Sequence, residues 1–314
     1  MRFLITGGAG FLGSALSNRL AAHGHDVRVL DDLSSGDKHN LISAVQFTRG
    51  DVNDIPLLWT MLQEVDCVYH LAARVSVAQS VLYPRDYNRV NVGGTVSLME
   101  AMRDAGISRV VLTSSGAVYG SQEKQPVRES DQPNPDSPYA VSKWAAENYV
   151  HTIGDLWGIE TVALRIFNAY GPGQQLPVSH APAVPGFLNA VLTSGSVVIF
   201  GDGHQSRDFI YLDDVIDALV SAATATNINR KVINIGSGNE TTVLDLIESI
   251  EAVTGRNAAR VWNRQKKGGV QRLVADIAMA SEYLGFRPKK QLDEGLLLTI
   301  NQDPRFSPIQ LSQK

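Results

Sequence analysis

An apolar run at the start of the chain, Met1-Arg2-Phe3-Leu4-Ile5, breaks into Thr6-Gly7-Gly8-Ala9-Gly10-Phe11-Leu12-Gly13, after which Ala15, Leu16 and Leu20 continue an apolar helical spacing. A strand that turns through glycines straight into a helix opens a βαβ crossover, and it commits the chain to a parallel sheet covered by helices. Short β-branched runs then recur between helical stretches, and Asp26 to Leu30, Gln46 to Arg49, Cys67 to Leu71, Arg109 to Thr113, Thr161 to Ile166 and Val232 to Ile235 read as further strands. Several are apolar on both faces, as strands buried inside a parallel sheet must be. Helices are expected over Val90 to Ala105 and Tyr139 to Leu156. The predicted fold is α/β, a doubly wound parallel sheet of Rossmann-like form.

Gly8-Ala9-Gly10-Phe11-Leu12-Gly13 fits G-x-G-x-x-G between a strand and a helix. Glycines there permit the tight turn, the close approach of backbone to a pyrophosphate and the packing of helix on sheet, while the helix N-terminus offers amide donors and a partial positive charge. Gly7, Gly10, Phe11, Leu12 and Gly13 are therefore candidate cofactor contacts. The acidic residue expected about 20 positions on is Asp31, whose carboxylate would accept ribose hydroxyls and repel a 2′-phosphate, so NAD is expected rather than NADP. Either Asp31 or its neighbour Asp32 is otherwise a solvated turn carboxylate. Asp51 and Val52, after the third strand, would reach the adenine edge in the same manner.

The rhythm breaks after Asn168, where Gly171-Pro172-Gly173-Gln174-Gln175 opens a loop-rich stretch running to about Ser206. Tyr211 to Ala225 and the strand at Val232 look like a return to the sheet. The expected organisation is thus an NAD-binding domain at 1–167, rejoined by roughly 208–236, interleaved with a smaller α/β substrate-binding domain at 168–207 and 237–301. Residues 302–314, with two prolines and little apolar periodicity, read as a loose tail.

Tyr139-Ala140-Val141-Ser142-Lys143 puts a phenol and an ammonium at i and i+4, on one side of one helix. Asp136 or Ser137 is placed to cap that helix, and Pro138 suits its first turn. A free tyrosine titrates near pH 10, so service as a base near neutrality requires a drop of about 3 units, or about 4 kcal/mol. An adjacent ammonium and an oxidised nicotinamide are two charges able to produce it. Thr113-Ser114-Ser115 ends the fifth strand, where a doubly wound sheet meets its ligands, and Ser115 is the candidate partner of the reacting oxygen.

Composition excludes several classes. The formal charge of −4 arises from charges scattered along 314 residues with no polybasic block, which argues against nucleic acid or an anionic membrane surface as a partner. No apolar run approaches the roughly 20 residues of a membrane span. The single cysteine, Cys67, cannot form an internal disulfide, and the chain enters a strand at once, so a reducing cytoplasm is the expected location. His23, His25 and His180 have no metal-site spacing, and no metal is expected. His70, at the end of the fourth strand, reads as packed and locally hydrogen-bonded rather than as a base.

Taken together, Thr6-Gly7-x-x-Gly10-x-x-Gly13, Asp31, His70-Leu71-Ala72-Ala73, Asn91, Ser115, Tyr139-x-x-x-Lys143, Arg165-x-Phe167-Asn168-x-x-Gly171-Pro172 and Arg207-Asp208-Phe209-Ile210 resemble the extended short-chain dehydrogenase/reductase family, and within it the UDP-sugar 4-epimerases. The resemblance runs from Met1 to about Gly295. It implies that Tyr139 takes the proton of a sugar 4-hydroxyl, that Lys143 binds the nicotinamide ribose, and that Ser115 bridges to the 4-oxygen. Leu71, Ala72 and Ala73 would line the cofactor site and Asn91 would brace the catalytic helix. In an epimerase, hydride leaves C4 for NAD⁺, the 4-keto sugar turns, and hydride returns to its other face. UDP-glucose and UDP-galactose are the expected substrates. A nucleotide-sugar reductase or dehydrogenase with net redox is the alternative, followed by 4-epimerases of UDP-N-acetylhexosamine or UDP-hexuronic acid; a non-catalytic NAD-binding protein ranks last. Dehydratase and decarboxylase relatives carry a carboxylate near the catalytic hydroxyl, and Gly116-Ala117-Val118-Tyr119 has none.

The resemblance also implies that Asn168 and Arg207 contact the diphosphate and that Phe200 holds uracil, although an apolar core position accounts for Phe200 equally well. Where the family often has Arg-x-Gly followed by an acid, this chain reads Lys266-Lys267-Gly268-Gly269, so Lys266 would meet phosphate as a point charge without bidentate geometry. Leu273, smaller than the tyrosine of the narrowest members, would leave room for an N-acetyl group. A donor near Ser76 or Gly116 would be needed for a uronic acid. The helices from Val90 and Tyr139 resemble those of the family's two-fold dimer, and a homodimer is expected.

Overall fold

A computed structural model of the chain describes residues 1–177, 180–265 and 269–306. From the N-terminus it runs β1 (Arg2–Thr6), α1 (Phe11–Ala22), β2 (Asp26–Asp31), β3 (Gln46–Arg49), α2 (Ile55–Met61), β4 (Cys67–His70), α3 (Val77–Leu82), α4 (Pro84–Tyr87), α5 (Gly94–Ala105), β5 (Arg109–Ser115), α6 (Pro138–Trp157) and β6 (Glu160–Ile166). There follow β7 (Asn168–Tyr170), α7 (Ala183–Leu192), β8 (Ser196–Phe200), β9 (Ser206–Arg207), β10 (Phe209–Tyr211), α8 (Leu212–Ala222), β11 (Lys231–Ile235), β12 (Thr241–Thr242), α9 (Val243–Thr254), β13 (Ala259–Asn263), β14 (Arg272–Leu273), α10 (Ala278–Leu284) and α11 (Leu292–Gln302).

Seven strands form one sheet in the order β11-β6-β5-β4-β1-β2-β3, and every neighbouring pair is parallel. The predicted doubly wound sheet is therefore present, with β5 running on to Ser115 and β4 stopping at His70. Alternation along the strands feeds two cores. Phe3, Ile5, Val27, Val29 and Val111 pack on one face with α1 and α8, while Leu4, Leu30, Val68, Val110 and Leu112 pack on the other with α2, α5 and α6. Strand order reverses between β1 and β4, so a crevice opens at their C-terminal ends, the general ligand position of such sheets.

The chain leaves the sheet after β6 and returns with β11, whose five residues pair in register with Val162 to Ile166. Helix α8 comes back with it and lies against α1, where Arg19 bridges Asp213 and Asp217 at 3.1 and 2.9 Å. A third core gathers Tyr170, Leu188, Ile199, Leu246, Leu296 and Phe306. The loose tail expected from residue 302 is thus corrected as far as Phe306. Asp303 is buried and accepts from the Gly173 N–H at 2.9 Å, and Phe306 fills the third core completely. Among the described residues no helix is long and apolar enough to cross a membrane.

Candidate active site

The crevice is built from the glycine turn outward. Gly7 has φ 71°, and a Cβ there would lie 2.6 Å from the Ala72 N, so the turn and the segment leaving β4 touch backbone to backbone. At Gly13 a Cβ would stand 2.1 Å from the Gly7 carbonyl oxygen. Gly10 differs: a Cβ would meet only the Gly7 oxygen, at 3.3 Å, and its outer side opens on a cleft of about 340 Å³ lined by Ala9, Gly10, Phe11, Ser35 and Arg305 among others. No side chain caps α1 and no acid occupies its first turn, which leaves the amides of that turn for an anion in the cleft.

Asp31 is buried, and its two oxygens accept from the N–H groups of Ala9 and Leu33, each at 2.9 Å. Burial pushes this carboxyl above its ordinary range, and the two amides pull it back. Asp32 is exposed and accepts from the Ser34 N–H at 2.8 Å, so of the two it is the one in the turn role. Asp51 accepts from Asn53 and pairs with Arg89 at 2.7 Å; Val52 is buried against Gly94 at the start of α5.

His70 is locked between two threonines, with Nδ1 2.7 Å from Thr6 Oγ1 and Nε2 2.9 Å from Thr95 Oγ1. Because the Thr95 hydroxyl donates to the Asn91 carbonyl, it accepts from His70, which fixes the Nε2–H tautomer and leaves Nδ1 as acceptor. Burial drives this imidazole down to about 3, with the Lys143 charge adding to the shift, so it stays neutral at physiological pH. Asn91 sits in a π-helical run, Asn88–Gly93, between α4 and α5. That wider turn redirects its side chain, which accepts from the Arg74 N–H at 2.7 Å and donates to the Arg74 carbonyl at 3.0 Å and to Ser142 Oγ at 2.9 Å. Asn91 thus ties α6 to Arg74, which directly follows Leu71–Ala73 after β4.

Helix α6 starts at Ser137, not Asp136: Ser137 Oγ accepts from the Ala140 N–H at 3.2 Å, and Pro138 occupies the first turn. Tyr139 and Lys143 are both buried on the face turned to the sheet. The Tyr139 phenol lies near enough to Ser115, at the end of β5, for the serine to act on its pKa. Burial raises the phenol's pKa, the neighbouring Ser115 hydroxyl lowers it, and Tyr87, edge-on at 6.4 Å, raises it again. Tyr87 in turn donates to the carbonyl of Ser76, whose side chain caps α3. Lys143 is brought down to about 8 by burial, while Glu147 one turn along pulls the other way. Among the described residues the lysine has no hydrogen-bond acceptor. A buried ammonium with free donors beside an apolar-walled crevice fits the hydroxyls of a nicotinamide ribose, and the open side of Gly10 fits a pyrophosphate.

On the other wall, Arg207 donates to the carbonyls of Ser206 and Val270, both at 2.7 Å. It also senses Asp136 at the start of α6, so it stands near the catalytic helix. Leu273 pairs in register with Arg207 and packs with Val118, Tyr119, Val127 and Phe167. Asn168 is exposed at the head of β7, its N–H donating to the Asp208 carbonyl. Phe200 is 40% exposed, which removes the core explanation: in β8, Val197 and Ile199 point inward and Phe200 outward. Lys266 lies outside the described residues.

A model of the NAD dependent epimerase/dehydratase family matches residues 3–236. The chain belongs to that family. Within the NAD-dependent epimerases and dehydratases it is similar to UDP-glucose 4-epimerase of Mycolicibacterium smegmatis, with 39% identity over 307 residues that cover 96% of this chain and 97% of the relative. The crystal structure of the Thermotoga maritima UDP-glucose 4-epimerase with UDP-glucose is similar at 36% identity and a TM-score of 0.91, covering 95% and 97% of the two chains. UDP-N-acetylglucosamine 4-epimerase from Methanobrevibacter ruminantium follows at 34% identity and a TM-score of 0.90, covering 95% and 96%.

Three residues assigned no role of their own from sequence stand around these side chains. Asp208 is fully buried and accepts from Ser237 N–H, Ser237 Oγ, Gly238 N–H and Ala275 N–H, pinning the Leu273 segment to the loop after β11. Tyr87 packs on Tyr139, and Glu147 faces Lys143. Asp208 stands in the Arg207-Asp208-Phe209-Ile210 run and Glu147 at the next i+4 position after Lys143, whereas Tyr87 left no signal in the sequence.

Proposed function

We propose that this chain interconverts UDP-glucose and UDP-galactose by NAD-dependent epimerisation at C4. The observation that carries the reading is the convergence of Ser115, Tyr139 and Lys143, from the end of β5 and one face of α6, on the crevice that begins at the glycine turn. When bound, NAD⁺ would supply the acceptor and then the donor of the C4 hydride, so the net reaction would be an isomerisation.

Tyr139 takes the proton from the 4-hydroxyl, and Ser115, close enough to lower the phenol's pKa, orients the 4-oxygen between them. The phenol keeps its proton until positive charge arrives beside it. Lys143 supplies the share of that charge belonging to the chain and holds the ribose. Gly7, Gly10, Phe11, Leu12 and Gly13 carry the pyrophosphate; Asp31 takes the adenosine ribose, with Asp51 and Val52 toward the adenine and Leu71 to Ala73 along the nicotinamide. Arg207, Asn168, Phe200 and Lys266 hold the nucleotide diphosphate and base. Leu273, in register with Arg207 and packed in the Phe167 cluster, sets the width beside the hexose and supports a second reading in which N-acetylated sugars are also accepted. A homodimer through α5 and α6 accords with the exposed Val141 and Tyr149 on α6.

The test is incubation of the purified protein with UDP-glucose and NAD⁺, with no other redox partner, followed by proton NMR of the sugar. Appearance of the C4 epimer at constant total sugar is expected. NADH accumulating with turnover would replace the epimerase by a dehydrogenase.

A further inference from the structure

The arginine of Arg165-x-Phe167-Asn168 meets a carboxylate inside the protein. It is buried on β6 at 4% exposure, and its Nε and Nη2 donate to the two carboxylate oxygens of Glu147, itself 3% exposed on α6, at 3.0 and 2.8 Å. Its Nη1 is buried with no acceptor, and the guanidinium lies 4.6 Å from the centroid of Tyr119. Tyr119 donates at 2.7 Å to Asn234 Oδ1 on β11, and Asn234 donates onward to the carbonyls of Val127 and Asp276. Glu147 is at i+4 from Lys143 and i+8 from Tyr139, so all three share one face of α6.

A buried ion pair adds little net stability, because desolvating two charges offsets most of their attraction, and neutral replacements of the same shape are often as stable. Its charge is a different matter. Lys143 and Arg165 are cations and Glu147 is an anion, so the buried set holds one surplus positive charge that a Tyr139 phenolate cancels. We propose that Glu147 and Arg165 are positioning residues for the Tyr139–Lys143 pair: Arg165 clamps Glu147 at both carboxylate oxygens, and Glu147 sets its negative charge one turn from Lys143 on the same face of α6. The inference rests on the roles given above to Tyr139 and Lys143. The other charged or titratable groups facing the cluster are His70 from β4, which feels Lys143, His151 from the next turn of α6, which feels Glu147 and Arg165, and Tyr119 against Arg165.

The experiment uses the full chain, NAD titrated by calorimetry from neutral to alkaline pH, and thermal unfolding of each variant. Glu147→Gln removes the anion and strands Arg165. Glu147→Gln with Arg165→Met removes both charges of the pair, so that Lys143 is the one cation left in the set. The single variant is expected to lose stability and the double variant to regain most of it. In both, the pH at which NAD affinity falls away is expected about one unit below that of the wild type, because a nearby opposite charge is worth about that much or more to a buried lysine. A double variant with the wild-type pH profile of NAD affinity would make the pair purely structural and overturn the inference. Lys143→Met is the control. If it leaves affinity and its pH dependence untouched, the role of Lys143 itself fails and takes this inference with it.

Discussion

The glycine turn offers a sharp separation of packing from binding. At Gly13 an added Cβ meets three backbone atoms, the Gly7 oxygen at 2.1 Å, the Gly8 Cα at 2.7 Å and the Gly7 carbon at 2.9 Å, and none can rotate away. The turn is held on both sides, by Gly7 N–H to the Leu30 carbonyl at 2.7 Å and by Ala9 N–H to Asp31 at 2.9 Å. Overpacking of this kind costs about 3 kcal/mol, which for a chain of this size lowers the melting midpoint by roughly 6 °C. Gly10 has φ −75° and ψ −176°, a conformation open to any residue, and its Cβ would touch only one atom, at 3.3 Å. Gly10→Ala is therefore expected to unfold within about 2 °C of the wild type, since exchanging glycine at a helix N-cap costs less than about 1 kcal/mol. The new methyl projects into the cleft where a pyrophosphate must approach, and a displacement worth about 2 kcal/mol weakens NAD roughly thirtyfold. Differential scanning calorimetry of NAD-stripped protein and isothermal titration with NAD measure the two effects. Wild-type NAD affinity in Gly10→Ala, or an unchanged melting midpoint in Gly13→Ala, would refute the assignment of this turn.

Tyr139→Phe deletes the proton acceptor and little else, so kcat is expected to fall by about a thousandfold while NAD binding persists; epimerisation at the wild-type rate would remove Tyr139 from the mechanism. His70 has a folded pKa of about 3 against 6.5 for a free imidazole, so the unfolded chain takes up the proton first and stability falls as pH drops through that window. Comparison of wild type with His70→Asn should show the wild type losing about 2 kcal/mol more between about pH 6.5 and 4.5, and parallel acid profiles would contradict the neutral, buried assignment. Leu273→Tyr narrows the wall beside Arg207 and is expected to depress turnover of UDP-N-acetylglucosamine at least tenfold more than that of UDP-glucose, which competition kinetics would read directly. Val141 is 50% exposed on α6, and Val141→Asp is expected to convert a sedimenting dimer into monomer; an unchanged sedimentation coefficient would move the interface elsewhere.

Sequence carried the sheet, the glycine turn, Asp31 and the start of α6 because each is a local matter of period, turn chemistry or spacing. It did not carry the polar contacts between elements. The Arg165–Glu147 pair spans 18 residues and the Tyr119–Asn234 bond spans 115, and no periodicity encodes which buried polar groups meet across such intervals. Phe200 was ambiguous for a simpler reason. Ser196-Val197-Val198-Ile199-Phe200 is apolar at four successive positions, so alternation could not say which face is inward. Phe306 sits among prolines beyond the last helix, where a single buried anchor leaves no pattern to read.

The late return of β11 has a consequence for how the molecule is made. Strand β6 leaves the ribosome with one edge unpaired, and its partner, Lys231 to Ile235, follows only after the whole excursion through β7 to α8 has been synthesised. Until then an apolar strand directly beside the one bearing Ser115 is an open template for other chains. The opposite wall waits longer still, since its core closes only on Leu296, Ile300 and Phe306. A nascent chain stalled before residue 235 therefore holds a finished glycine turn beside an unfinished sheet, and it is this intermediate that chaperones would have to shield.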